Sequence, residues 1–299
     1  MKGYLYTIGS AFVYASQVIL SKYILTGGTD TWLFSFMQVG ISAVVMFVVG
    51  LIRMPNGFGA KLAIKKQDIL WIVLLGVVGG VGTNLMLNLA LERVDAGIGS
   101  MLLFLHPVLI CLFFLVSGVR KVTLTNKISL AMVVVGSILV LNIFGEKHSW
   151  TWTGIMFGLL TCFFCACFFL ILDLKLSQYP ITTIFFYDWM VGALIILAMK
   201  PSVLAAIPAL PLNTLLIIIF ISSVATVLPS FLLGKGVILI GSERSTVVGT
   251  LELPLTVLLA YLFLSEVMVP AQLFGIVLVV SAVAALSVEG SKSGPLQRS

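Results

Sequence analysis

The chain has 299 residues and a net charge of +6; 60% of its residues are hydrophobic, 9% are charged, and its mean hydropathy is +1.20. A water-soluble domain carries about 25% charged residues. So few charges cannot cover a globule of this size in water, so the expected solvent is lipid, which excludes a soluble enzyme, a nucleic-acid-binding domain and a disordered chain.

A helix needs about 20 apolar residues to cross a hydrocarbon core of about 30 Å. That ruler marks ten spans in chain order, near 4–25, 32–52, 69–91, 97–117, 127–144, 153–174, 182–199, 212–237, 245–265 and 269–288. Barrel strands would alternate apolar and polar residues, and runs such as Leu215 to Phe220 do not, so the fold class expected is an all-α membrane protein. The run after Met1-Lys2-Gly3 is too long for the apolar part of a cleavable leader. The four cysteines, Cys111, Cys162, Cys165 and Cys167, lie in apolar runs and read as buried thiols.

Orientation follows from the basic residues, which favour the cytoplasmic side. With a cytoplasmic N-terminus, the inner segments hold twelve: Lys2, Arg53, Lys61, Lys65, Lys66, Arg120, Lys121, Lys127, Lys175, Arg244, Lys292 and Arg298. The outer segments hold four: Lys22, Arg93, Lys147 and Lys200. Both termini are therefore expected in the cytoplasm, in an inner membrane. The high isoelectric point then reports topology and lipid headgroups, with no nucleic-acid partner.

The halves, 1–146 and 150–289, are expected to be five-helix repeats, followed by a cytoplasmic tail at 290–299. Laying spans 4 and 5 on spans 9 and 10 puts Pro107 on Pro254, and Gly3 and Gly154 open spans 1 and 6 in equivalent positions. The glycine-rich face of span 3, Gly76, Gly79, Gly80 and Gly82, meets Ser223, Ala225 and Thr226 of span 8. Five spans is an odd number, so the second repeat is expected to be inverted, an arrangement that transporters use to enclose a midplane site and expose it to each side in turn. The GxxxG spacing from Gly76 to Gly80 reads first as close helix packing.

Polar groups in lipid are costly and need a reason. At 1.5 Å per residue, Lys235 and Glu252 lie roughly 9–11 Å from the inner edge of the membrane, and Asp188 at a similar depth. A Lys235–Glu252 or Lys235–Asp188 pair would lower the cost of both charges; otherwise Lys235 snorkels to the headgroups. These three are the candidates for coupling or gating. His106 precedes Pro107, which frees a carbonyl inside span 4; the histidine either bonds that carbonyl or meets solute. Tyr14 and Gln17 share one face of span 1, and Asn84 and Asn88 share one face of span 3. The expected substrate-binding set is Tyr14, Gln17, Asn84, Asn88, His106, Phe168, Lys235 and Glu252, although interhelical hydrogen bonds explain Tyr14, Gln17, Asn84 and Asn88 equally well. Glu243, Arg244, Asp173 and Lys175 read as solvated charges at the inner rim, with a cytoplasmic gate pair as the alternative.

The ten spans, the half-repeat, the run Gly249-Thr250-Leu251-Glu252-Leu253-Pro254 through Leu264-Ser265-Glu266, and Gln272-Leu273-Phe274-Gly275-Ile276 opening the last span resemble the EamA-type branch of the drug/metabolite transporter superfamily. The first half departs from the pattern, with Leu105-His106-Pro107 in place of Glu252-Leu253-Pro254 and Tyr14-Ala15 where many relatives have Trp-Gly. The resemblance implies a carrier of small metabolites, often outward, through a cavity lined by spans 1, 3, 4, 6, 8 and 9. No P-loop, HExxH, GxSxG or aspartate-rich prenyl-diphosphate motif occurs, so neither catalysis nor a cofactor or metal is expected. Energy is then expected from gradients of the solute or of an ion, first of all the proton. The competing functions are an intramembrane lipid-modifying enzyme and a channel.

Overall fold

A computed structural model describes residues 2–53, 62–94, 99, 102–119, 123–140, 151–255, 258 and 269–292. The described residues form helices and no strands. A backbone in hydrocarbon must bond to itself, and a helix does so within one segment.

Among the described residues, six helices are long and apolar enough to cross a membrane: α1 (Lys2–Thr26), α2 (Thr31–Arg53), α3 (Lys66–Arg93), α6 (Trp152–Leu174), α7 (Ile181–Met199) and α8 (Leu212–Ile240). Four further helices are α4 (His106–Ser117), α5 (Leu124–Val140), α9 (Ser242–Gly249) and α10 (Pro270–Lys292), and a short one, Val203–Ala206, lies between α7 and α8. Parts of the fourth, fifth and ninth expected spans, at 97–98, 100–101, 141–144, 256–257 and 259–265, lie outside the described residues.

Helix ends follow local chemistry. Asp30 Oδ1 accepts the Leu33 amide (2.9 Å) at the start of α2, and Thr151 Oγ1 accepts the Gly154 amide (3.1 Å) at the start of α6. Pro180 and Pro211 stand just before α7 and α8, where no helical donor is needed. Gly241, at φ 84°, is the one-residue turn between α8 and α9, a backbone conformation that a side chain would strain.

α3 and α8 share a feature the hydropathy did not predict. Each contains a π-helical segment, Val77–Thr83 in α3 and Ile221–Thr226 in α8. In α3 the widened turn leaves carbonyls for side chains: Thr83 Oγ1 donates to Val78 O (2.8 Å) and Asn84 Nδ2 to Gly79 O (3.0 Å). In α8 the segment precedes Pro229, whose missing N–H deprives the carbonyl four residues earlier of its helical donor.

The principal helix contacts are α1 on α8, α3 on α6, α3 on α7, α2 on α8, α2 on α7 and α5 on α10, with α4 against α6, α9 against α1, and α4 against α9. Small residues set the closest approaches. A Cβ on Gly3 would lie 2.6 Å from Ile240 Cγ2, and one on Gly154 would lie 2.9 Å from Arg93 Cβ. At Gly80, a Cβ would meet Gly192 Cα and Asp188 O, both at 2.7 Å. The exterior is apolar, with Leu5, Phe12, Val44, Ile52, Val116 and Leu212 exposed, while Thr7, Ser10, Gln38, Ser42, Asn88, Thr161 and Asp188 are buried. Polar groups thus face inward and apolar groups outward, as lipid demands.

Candidate functional site

Between the helices lies a cavity of about 140 Å³. Its wall is built from α1 (Ser10, Tyr14, Gln17, Ser21), α3 (Gly79, Thr83, Asn84, Asn88), the residues leading into α4 (Leu103, Phe104, His106), α6 (Cys165, Phe168, Phe169), α7 (Phe185, Asp188, Trp189), α8 (Thr226, Ser230) and α9 with its continuation (Thr246, Gly249, Glu252); Gln38 adds one contact from α2.

Seven of the eight residues expected to bind substrate line this cavity: Tyr14, Gln17, Asn84, Asn88, His106, Phe168 and Glu252. Lys235 is not in the wall. Its ammonium lies over the Phe231 and Tyr6 rings, 4.6 and 5.3 Å from their centroids. Neither expected ion pair, with Glu252 or with Asp188, forms among the described residues. The physical reason is direction: Lys235 leaves α8 on the side that packs against Tyr6 of α1, where two aromatic faces satisfy its charge.

The wall's hydrogen bonds cross between helices. Tyr14 Oη and Ser230 Oγ are 2.6 Å apart, and Ser10 Oγ donates to Pro229 O (2.8 Å). Asn88 Nδ2 donates to Ser35 Oγ (2.9 Å) and Gln38 Oε1 (3.1 Å), and Gln38 Nε2 donates to Thr226 Oγ1 (3.2 Å). This chain joins α3, α2 and α8. His106 Nδ1 lies 2.7 Å from Leu103 O. That carbonyl would have accepted the N–H that Pro107 lacks, and since a carbonyl only accepts, Nδ1 carries the proton. The imidazole also stacks on Phe169, with centroids 5.4 Å apart.

The helices that carry His106 and Glu252 are broken at the cavity. A turn at 104–105 precedes α4, and a turn at 250–251 separates α9 from the helical residues 252–255. Leu253 N–H reaches Thr250 O (3.1 Å), the carbonyl that Pro254 cannot serve, and Thr250 Oγ1 donates to Val247 O (2.6 Å). Irregular backbone at membrane depth is tolerated where it lines a cavity.

Asp188 is 1% exposed. Its Oδ1 accepts the Gly80 amide (3.0 Å) from the π segment of α3. A Cβ on Gly79 would strike Asp188 Oδ1 and the Phe168 ring, so the glycines that read as packing residues also make room for a carboxylate. Among the described residues, no lysine or arginine lines the cavity, and no group of three or more His, Cys, Asp or Glu could hold a metal. The free thiols of Cys111, Cys162 and Cys165 are buried and that of Cys167 is half-buried.

Beneath the cavity, toward the N-terminus of α1, the helices close. Thr7 Oγ1 and Ser245 Oγ are 2.9 Å apart. Asp173, expected as a solvated rim charge, is 4% exposed and accepts from Ser242 N (2.9 Å) and Ser242 Oγ (2.8 Å) at the start of α9. Glu243, also expected in solvent, is buried and accepts from Asn126 Nδ2. Both carboxylates end up inside because unsatisfied donors, a helix N-terminus and a side-chain amide, lie within reach. In the opposite direction the cavity wall reaches Ser21, Leu91 and Leu103.

Sequence reasoning missed Ser10, Ser230, Phe185 and Trp189. Asp188 itself was the available signal for the last two, since Phe185 precedes it by three residues, on the same helix face.

A family model described as the EamA-like transporter family matches residues 1–142 and 152–288. A solved structure described only as "Crystal structure of protein" is similar to this chain with a TM-score of 0.73 at 15% sequence identity, covering 98% of this chain and 98% of that chain. At that identity the likeness shows the fold alone. No curated protein matches the sequence.

Proposed function

The chain belongs to the EamA-like transporter family, and from that premise we propose that it is a secondary transporter that moves small amphipathic organic solutes, amino acids and related metabolites, outward across the inner membrane by alternating access. One observation carries the reading: a cavity with buried polar and carboxylate groups, enclosed by helices from both halves of the chain and closed at one end. A membrane-embedded wall of this kind is costly unless it meets solute or water.

In this reading 1–146 and 150–289 are inverted five-helix repeats. Support comes from the two separate family matches and from the helix contacts. Adding or subtracting five turns the α1–α8 pair into α6–α3, α4–α6 into α9–α1, and α3–α7 into α8–α2; the pairs α2–α7, α5–α10 and α4–α9 map onto themselves. The paired glycines Gly3 and Gly154, the two π segments and the breaks before His106 and at Glu252 obey the same exchange.

Both termini and the 290–299 tail lie in the cytoplasm, as the basic residues argue. The closed end is then cytoplasmic, and the Asp173–Ser242 and Thr7–Ser245 contacts form the inner gate. Tyr14, Gln17, Asn84, Asn88, His106 and Phe168 contact solute. Glu252, buried at a helix break in the wall, carries the coupling proton.

Counterflow of labelled amino acids in proteoliposomes tests the transport reading. A carrier accelerates label entry when the same solute is loaded inside; uptake without trans-stimulation, or chemical change of the solute, refutes it. Coupling has a separate test: proton-driven uptake that survives Glu252→Gln unchanged removes Glu252 from that role.

A further inference from the structure

We infer that Asp188, with Phe168, Phe185 and Trp189, forms a subsite for the ammonium group of a primary amine with an apolar body. This rests on the cavity being a solute site, and it names the solute class.

The carboxylate is built into its place. Gly80 N–H holds Oδ1, Gly79 leaves the space it occupies, and α7 approaches α3 there because Gly192 opposes Gly80. That single amide is the one hydrogen bond Asp188 receives among the described residues. A buried carboxylate needs more: without a cation or further donors its burial is costly. Among the described residues, no lysine or arginine of the wall supplies a cation, and Lys235 is held over Tyr6 and Phe231. An ammonium group that enters the cavity supplies the counter-charge that the wall does not.

The surroundings select the kind of cation. Phe168 and Phe185 have centroids 5.7 Å apart, and Phe185 and Trp189 have centroids 5.1 Å apart. All three rings are buried and reach the cavity beside Asp188. Aromatic faces attract ammonium groups and exclude water, and the carboxylate gives the charge-assisted hydrogen bonds that a primary ammonium can donate. The volume of about 140 Å³ is close to the roughly 150 Å³ of a protein cavity that holds benzene, which suits a small arylalkylamine. Within the amphipathic solutes proposed above, the wall ranks the amine ahead of its parent amino acid, since among the described residues it offers a second carboxylate, Glu252, and no basic side chain to the amino acid's own carboxylate.

Thermal unfolding of the purified full-length protein, with four probes of one shape, tests this. Phenethylammonium chloride is expected to raise the midpoint, with an affinity roughly 10- to 100-fold above that of 2-phenylethanol, the margin of a charge-assisted hydrogen bond. Phenylacetate and phenylalanine are expected to bind more weakly than the amine. Asp188→Asn is expected to erase the preference for amine over alcohol, and Phe168→Leu to weaken amine binding while keeping that preference. The inference is overturned if the alcohol, phenylacetate or phenylalanine matches the amine, if none of the four shifts the midpoint at millimolar concentration, or if Asp188→Asn leaves the ranking intact. Should Asp188→Asn not fold, the wild-type ranking decides alone. Amino-acid counterflow without amine preference sinks this subsite and leaves the transporter reading standing; amine binding without any counterflow does the reverse.

Discussion

Gly80→Ala is the sharpest probe of how α3 meets α7. Its new Cβ would lie 2.7 Å from both Gly192 Cα and Asp188 O. Non-bonded carbon atoms settle at about 3.5–4.0 Å, so the helices must separate by about 1 Å at this point. Neither obstacle is a flexible side chain; both are backbone. Overpacking of this kind costs about 1–3 kcal/mol, and weakening of the Gly80–Asp188 hydrogen bond adds about 0.5–1.5 kcal/mol. Alanine's better helix propensity returns about 1 kcal/mol. The net expectation is a loss of about 0.5–3.5 kcal/mol, or roughly 1–14 °C at about 2–4 °C per kcal/mol for chains of a few hundred residues. Gly40→Ala in α2 is the matched control: nothing lies within 4 Å of its Cβ position, so propensity alone acts and the melting temperature should rise slightly. Thermal unfolding in detergent measures both. If Gly80→Ala melts at or above the wild type, or moves with Gly40→Ala, the close crossing of α3 and α7 is wrong.

A double-mutant cycle on Tyr14→Phe and Ser230→Ala should give a coupling of about 0.5–1.5 kcal/mol for the 2.6 Å hydrogen bond; additive losses would mean that the two hydroxyls do not meet. Asp173→Ala should cost about 1.5–3 kcal/mol, because it strips the α9 N-terminus of a charged acceptor for Ser242 N and Oγ, and a change within measurement error would return Asp173 to the solvated rim. The Asp30–Lys200 pair, 2.8 Å apart and partly exposed, is read from pH. Partial burial pushes the Asp30 carboxyl upward, but the Lys200 hydrogen bond and charge together with the Leu33 and Trp32 amides outweigh it, and the net shift is below the ordinary carboxylate value. A lowered folded-state pKa stabilises the protein above the unfolded-state value and loses that contribution as pH falls through the folded-state value. Exposure limits the effect to about 0.2–1 kcal/mol, so Lys200→Gln should lower the neutral-pH midpoint slightly and narrow the gap to wild type in acid; an equal gap at both pH values would refute the pairing.

Several features were legible in the residues because their physics is local. Hydropathy located the six long helices to within about three residues at most ends, and Pro107 beside His106 announced a freed carbonyl that the imidazole then takes. Gly3 and Gly154 were expected as equivalents, and each presses against the end of another long helix, Gly3 on Ile240 and Gly154 on Arg93, a contact that nothing local announced. Polar residues spaced along one face of α1 and of α3 do share one wall. The same reasoning misplaced Lys235, Asp173 and Glu243, because depth in the membrane says nothing about rotation around the helix or about which donor lies across the gap.

Composition by itself determined the solvent, with 9% charged residues, and the apolar runs that do not alternate, such as Leu215 to Phe220, determined the helical class. Tertiary structure alone decided which polar groups meet, and where. The α3–α7 contact at Gly80 and Gly192, the Phe168–Phe185 ring contact beside Asp188 and the capping of α9 by Asp173 all join residues far apart in the chain. In lipid, apolar side chains lose no more by facing the bilayer than by facing one another, so the partner of each helix is selected by close packing and interhelical hydrogen bonds, and these exist only once the other helices are in place.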